Sequence, residues 1–183
     1  MKFSTLGLIA ISTLSISASA LAVEVRGGTV NFTGELVNAA CAVSIGSSNQ
    51  TVPLGQVRTA NFVKAGDKST AVPFAIKLVD CDPSVQANAS IAFQGTAVGG
   101  TAGANLLAVS AADANGTPAK NVGIEIADSA AKVLGLTGAV YSTPKALIAG
   151  DNSLQFTARY VSTDVTTVPG AANASATFTV KYE

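Results

Sequence analysis

The chain has no histidine and no tryptophan, one methionine and two cysteines, and only 12% of its 183 residues are charged, about half the usual share. Each shortage removes a class of chemistry. Without an imidazole, His-based acid–base catalysis, Ser-His-Asp and Cys-His nucleophile pairs and His-ligated zinc or copper are excluded. Eleven basic against eleven acidic side chains give a formal charge of +0, whereas a nucleic-acid binder needs a basic footprint. Two thiols without CxxC spacing make neither a redox pair nor a tetrahedral metal site. What remains is 48% hydrophobic, a figure swollen by alanine and by the N-terminal segment.

That segment has the three-part layout of a secretory signal peptide. Lys2 is followed by an apolar run from Leu6 to Ile16 and then by the small-residue stretch from Ser17 to Ala22. Residues 1–22 are expected to be removed after Ala22, with cleavage after Ala20 as the alternative. The apolar run is shorter than the roughly 20 residues a membrane helix needs, and Ser and Thr interrupt it. Removal takes away Lys2 and no acid, leaving 10 basic and 11 acidic groups, a net charge of −1 on 161 residues. In an oxidising compartment Cys41 and Cys81 are expected to form a disulfide. Closing that loop would stabilise the fold by roughly 4 kcal/mol in the chain-entropy model.

Short apolar-alternating runs separated by Gly, Asn, Asp, Ser and Pro predict an all-β domain of about eight strands, a sandwich. The expected strands cover residues 29–37, 41–45, 51–54, 72–79, 89–93, 122–126, 154–160 and 174–182. Turn signals stand at 113–116, 151–152 and 169–170. Residues 95–103 carry four glycines but lack the GK[ST] ending of a phosphate-cradling loop, and read as a flexible connection. The alanine-containing tracts 106–114 and 129–136 have room for a short helix at most.

The two ends of the chain carry most of the information. Near the C-terminus the even positions Ala174, Ala176, Phe178, Val180 and Tyr182 are apolar or aromatic, while Ser175, Thr177, Thr179 and Lys181 alternate with them. This strict period of two describes a strand with one buried face. At the front, residues 23–34 are also strand-like and precede a second apolar strand, so the chain carries a spare extended segment. In one parity Gly28, Val30 and Phe32 face together; in the other Val23, Val25, Gly27 and Thr29 do. The bulkier Val30/Phe32 face is the better candidate for burial. A glycine such as Gly28 within the run commonly marks close approach of another backbone.

These ends, with several internal motifs, resemble one family along the whole chain. The motifs are Gly27-Gly28-Thr29-Val30 with Phe32, Asn38-Ala39-Ala40-Cys41-Ala42-Val43, Leu54 to Arg58, and Asp80-Cys81-Asp82. They continue with Asn121 to Ile124, Phe156 to Tyr160 and the run from Pro169 to Phe178. Gly170 is the fourteenth residue from the C-terminus and Tyr182 the penultimate one. The sequence resembles the type 1 fimbrial major pilins, chaperone-usher pilins of Gram-negative bacteria. Glu24 and Arg26 depart from that pattern.

The resemblance implies an incomplete immunoglobulin-like β-sandwich, lacking its last strand and completed by a donor strand from another subunit. This donor-strand complementation is a known form of β-strand addition. It further implies a homopolymer forming the rod of a cell-surface adhesive fimbria. Its implied partners are a periplasmic chaperone, an outer-membrane usher, minor pilins and a tip adhesin, with no cofactor, no nucleic acid and no enzymatic activity. On this basis residues 23–36 are the donor extension, with Gly28, Val30 and Phe32 buried on insertion, and residues 37–183 the sandwich domain. Gly170, Ala174, Ala176, Phe178, Val180 and Tyr182 would line the groove and bind the chaperone.

Other chemistry has less support. Asp80 and Asp82 lack further oxygen ligands in a calcium-loop pattern and read as a capped turn. Asp113, Asn115 and Gly116 likewise read as a turn, and no carboxylate pair stands out for glycosidase work. Asn-X-Ser/Thr at Asn31, Asn49, Asn88 and Asn173 is given no role. The competing functions are a minor or adaptor pilin, and a closed, monomeric immunoglobulin-like binding protein.

Overall fold

A computed structural model of the chain describes residues 25–100, 103–111 and 116–183. The expected signal peptide, the first two residues of the donor extension and most of the 113–116 turn lie outside these residues. The chain divides into two units, Met1–Glu35 and Leu36–Glu183.

In the first unit, residues 25–35 form no strand and are exposed throughout. Val30 and Phe32 are 75% and 90% exposed. The strand expected over 29–37 is therefore absent from the single chain. Period-two alternation supplies a face to bury, but a strand exists only where its N–H and C=O groups find a neighbouring ladder.

The second unit is built from two antiparallel sheets. β1 (Ala42–Val43), β2 (Val72–Cys81), β8 (Gly150–Ser162), β5 (Val122–Asp128) and β4 (Leu106–Ala108) lie in that order in one sheet. In the other, β3 (Asn88–Gln94) pairs along one side with β6 (Thr137–Tyr141) and β7 (Lys145–Ala146), and along its other side with β9 (Thr177–Tyr182). The strands expected over 72–79, 89–93, 122–126 and 154–160 are found, each extended at one or both ends. The 41–45 strand shrinks to β1, because Ser44 starts the helical turn α1 (Ile45–Ser48). Residues 51–54 form no strand, and β9 begins at Thr177 rather than Ala174. In place of a helix, 106–114 begins with β4, while 129–136 is a turn followed by an Ala127–Val133 bridge.

The core lies between the sheets. Ile76, Leu78, Ile91 and Leu134 are almost wholly buried. Phe93 packs edge-on against Phe156 at 5.3 Å, and Phe74 stacks on Phe156 at 5.6 Å. Cys41 and Cys81 are joined by a buried disulfide that ties the start of β1 to the end of β2. Next to it Asp82 caps a turn, accepting from the Ser84 N–H at 2.9 Å and hydroxyl at 2.6 Å. Asp128 organises the 129–132 turn by accepting backbone N–H bonds from Ala130 and Lys132, and it holds Thr143 through both N–H and hydroxyl.

On the outer face of the larger sheet, Glu125 is 7% exposed and bridges Lys68 at 2.9 Å and Arg159 at 2.6 Å. Burial pushes its pKa up, but the bonds from Lys68 and Arg159 outweigh burial and hold it below the ordinary glutamate value. A carboxylate whose folded pKa is depressed contributes stability above its unfolded pKa and loses it as pH falls through the folded value. Glu125→Gln should therefore lower stability by about 1–3 kcal/mol at neutral pH. It should also flatten the decline on the acid side. Urea denaturation across the acid range checks both.

Candidate functional site

β9 meets its neighbour on one side only. Asn88 and Glu183 exchange both backbone bonds, at 2.7 and 3.0 Å. In an antiparallel ladder such pairs alternate, so the register puts Thr177, Thr179 and Lys181 in hydrogen-bonded pairs with β3. The N–H and C=O groups of Phe178, Val180 and Tyr182 consequently point to the opposite side. Among the described residues no strand pairs there. The same three residues are half-buried on the core face, while their odd-numbered neighbours are exposed.

Beside that edge the sandwich is open. A hollow of about 630 Å³ runs between residues 47–55 on one wall and 172–176 with Phe178 on the other. Its floor includes Phe74, Ile76, Phe93, Ile124 and Ile126 from both sheets. A second hollow of about 690 Å³ shares Gly55, Tyr160, Ala172 and Asn173 with it and continues to Phe62, Thr167 and Val168. The first hollow has no acidic or basic side chain in its lining; Tyr160, its one titratable group, has its pKa raised by burial and donates its hydroxyl to the Ala172 carbonyl at 3.0 Å. Tyr182 donates to the Cys41 carbonyl, also at 3.0 Å, which fastens the end of β9 beside the disulfide. The site can bury apolar side chains of an extended peptide while pairing its backbone. It holds no arrangement of groups suited to moving protons or electrons.

The residues singled out from sequence fall into three sets. Phe178, Val180 and Tyr182 form the open edge. Ala174 and Ala176 lie outside any strand and line the first hollow, while Gly170 lines the second. Gly28, Val30 and Phe32 are exposed in the other unit, with nothing within 4 Å of a Cβ placed at Gly28. Sequence reasoning missed the facing wall, where Val52, Leu54 and Val57 are half-buried between exposed neighbours. It also missed Tyr160 and Phe62. The Val52/Leu54 alternation was a visible signal, read as one of the strands of the sandwich.

Gly170 is required for space. A Cβ there would lie 2.6 Å from backbone atoms of residues 117–119, to which the segment is bridged at Pro118–Ala171 and Lys120–Val168. Gly170→Ala should force the segment outward and cost about 1–3 kcal/mol. Thermal denaturation and yield of folded protein check this.

Residues 30–183 match the family model described as "Fimbrial protein". The chain belongs to the fimbrial protein family. This fimbrial protein is 51% identical to the type 1 fimbrial subunit of Salmonella typhimurium, over 96% of its own length and 94% of that protein. It is 49% identical to the type-1 fimbrial protein A chain of Escherichia coli K12, with both chains fully covered. Among solved structures it resembles a chaperone-usher pilus structure that addresses rod uncoiling, with TM-score 0.71, 26% identity, and 90% of this chain and 100% of that one covered. The P pilus rod subunit PapA matches with TM-score 0.63 and 25% identity, covering 79% of this chain and 100% of that one. The fold of this fimbrial protein is the incomplete immunoglobulin-like sandwich, and the family's members are structural subunits.

Proposed function

We propose that this fimbrial protein is the repeating subunit of a fimbrial rod and polymerises by lending its N-terminal extension to the groove of the next copy. One observation carries the reading: the open edge at Phe178, Val180 and Tyr182 borders an uncharged hollow, in a chain that also carries an unpaired alternating segment. Residues 23–36 are the donor and 37–183 the acceptor domain. Val30 and Phe32 go into the groove, with Gly28 and Gly34 between backbones and Leu36 at the same parity. Burying each large side chain contributes about 1.5–3 kcal/mol, and the edge gains a hydrogen-bonded ladder. Donor and acceptor are different surfaces, so the contact is heterologous and grows into a fibre without closing.

Before assembly the same edge is an aggregation hazard. A periplasmic chaperone strand covers it, pairing with β9 and running past residues 170–176 that precede it, and an outer-membrane usher exchanges it for the next subunit's extension. Minor pilins and a tip adhesin complete the fimbria. Residues 1–22 are the export signal, removed after Ala22. The major-subunit reading is preferred to an adaptor because of the full-length likeness to type 1 A chains. Electron microscopy of purified surface material, with N-terminal sequencing, tests the reading. The expected result is fibres composed mainly of a chain beginning at Val23. A soluble monomer without an added strand would overturn it.

A further inference from the structure

The two hollows of the groove differ in charge. Among the described residues no charged side chain lines the first, and Arg58 is the one charged residue lining the second. Its place is set locally: the Arg58 carbonyl accepts the Asn61 N–H at 3.0 Å and opens the helical turn Thr59–Asn61. Val57 beside it is half-buried while Arg58 is exposed, which puts Arg58 at the solvent-side rim of the wall. The donor extension carries a charge of opposite sign, Glu35, which is exposed and of odd parity. When Val30 and Phe32 enter the groove, the odd positions of the extension face solvent. Among the described residues no ion pair uses either Arg58 or Glu35.

Strand geometry brings the two charges together. Every pairing between the strands of both sheets is antiparallel, and a donor laid antiparallel on β9 runs from Glu183 toward Gly170. With Val30 opposite Phe178, Phe32 falls opposite Ala176, Glu35 opposite Asn173 and Leu36 opposite Ala172. Ala172 and Asn173 line both hollows, as does Gly55 on the facing wall, and Arg58 follows Gly55 by three positions into the second hollow. Three extended residues span about 10 Å, a gap that the long Arg and Glu side chains close between them. A shift of two residues, with Phe32 opposite Phe178, leaves Glu35 opposite Ser175, which lines only the first hollow. A parallel donor would bring Arg26 toward Arg58 instead, like charge against like.

We infer that Glu35 of each inserted extension pairs with Arg58 of the copy that receives it, and that this pair selects the antiparallel direction and the register with Val30 opposite Phe178. The inference rests on the strand-donation reading. Apolar burial supplies the strength of the joint. The charge pair lies at the solvent-side rim, where such pairs add little strength and act on encounter and on the choice between alternatives. Like charges at the two positions slow insertion, and salt screens the effect.

The test compares full chains carrying Glu35→Arg, Arg58→Glu or both, with fibre growth followed by light scattering at low salt. Each single variant places like charges in every joint and is expected to assemble roughly tenfold more slowly. The double variant reverses the pair and is expected to return to within about twofold of the original rate. An equal mixture of the two single variants is the most discriminating arm. Each variant's extension meets its opposite charge only on the other variant, so the mixture should outgrow both components and alternate the two chains along the fibre. A defect in folding would not be recovered by mixing. At about 1 M salt, where the screening length is about 3 Å, all rates should converge. A double variant as slow as the singles overturns the inference, as does a mixture no faster than its components, or single variants that grow at the original rate. Strand donation is read separately from a chain lacking residues 23–35. Fibres from that chain remove strand donation itself, whereas no fibres from it together with a failed rescue removes the charge pair alone.

Discussion

Deleting residues 23–35 is expected to abolish fibre formation while leaving the domain able to bind the strand of a chaperone. The deleted residues build nothing in the single chain: those described are exposed and unpaired. The core residues, both sheets and the disulfide all lie in residues 36–183. Loss of polymer without loss of the domain is thus the result the architecture requires. The acceptor side predicts a graded version. Phe32→Asp would bring a carboxylate to a hollow whose lining offers no basic partner, and an unpaired buried charge costs several kcal/mol. Assembly should therefore be blocked almost as completely as by the deletion, while Phe32→Leu should retain it. Counting surface fibres by electron microscopy, alongside pull-down of the chaperone-bound subunit, checks both halves. Normal fibres from the truncated chain would remove strand donation as the mechanism.

How far the sequence could be read depended on where each strand finds its partner. β2, β5 and β8 pair within the domain; β5 is buried throughout, and β2 and β8 bury Ile76, Leu78, Leu154, Phe156 and Ala158 on one face, so their apolar runs marked them plainly. β4, β6 and β7 have three, five and two residues. Such lengths are too short for alternation to separate them from loops, and the pairings that create them are with residues distant in sequence. Residues 29–37 and 51–54 show the reverse case, where alternation is present and the single chain forms no strand. Neither segment finds a partner strand among the described residues. The two segments share one explanation under strand donation, because one would enter the groove and the other forms its wall.

The site was legible to a similar degree. Phe178, Val180 and Tyr182 announce themselves by alternation, and their side chains do face the core. That their backbone groups face an open edge follows from the register with β3, which no local pattern contains. Gly170 was recognisable as part of a family signature, but its physical reason, the 2.6 Å approach to residues 117–119, appears only in three dimensions. Tyr160 was quoted as the end of a strand and of a family motif. Its place in the groove lining depends on the approach of residue 172, whose carbonyl accepts its hydroxyl, a contact no local pattern contains.

Grafting residues 23–35 behind Glu183 through a short turn is expected to convert the subunit into a stable monomer. β9 ends at the disulfide end of the domain, with Tyr182 bonded to Cys41 and Glu183 paired with Asn88. A turn of about two to five residues reverses the chain and lays the graft antiparallel along the open edge. A parallel arrangement would need a crossover of about a dozen residues or more. The antiparallel graft offers its backbone to Phe178, Val180 and Tyr182 and its Val30 and Phe32 side chains to the hollow. The two large side chains contribute about 1.5–3 kcal/mol each and the ladder satisfies the open edge, so a net gain of a few kcal/mol is expected. For a domain of this length each kcal/mol raises Tm by roughly 2–4 °C, so an increase on the order of 10 °C is expected. The intramolecular strand has a high effective concentration at the groove, and a filled groove refuses a neighbour's extension. Differential scanning calorimetry should show the rise, and sedimentation velocity a monomer at concentrations where the ungrafted chain assembles. A graft that leaves Tm unchanged and fibres intact would place the acceptor somewhere other than the edge of β9.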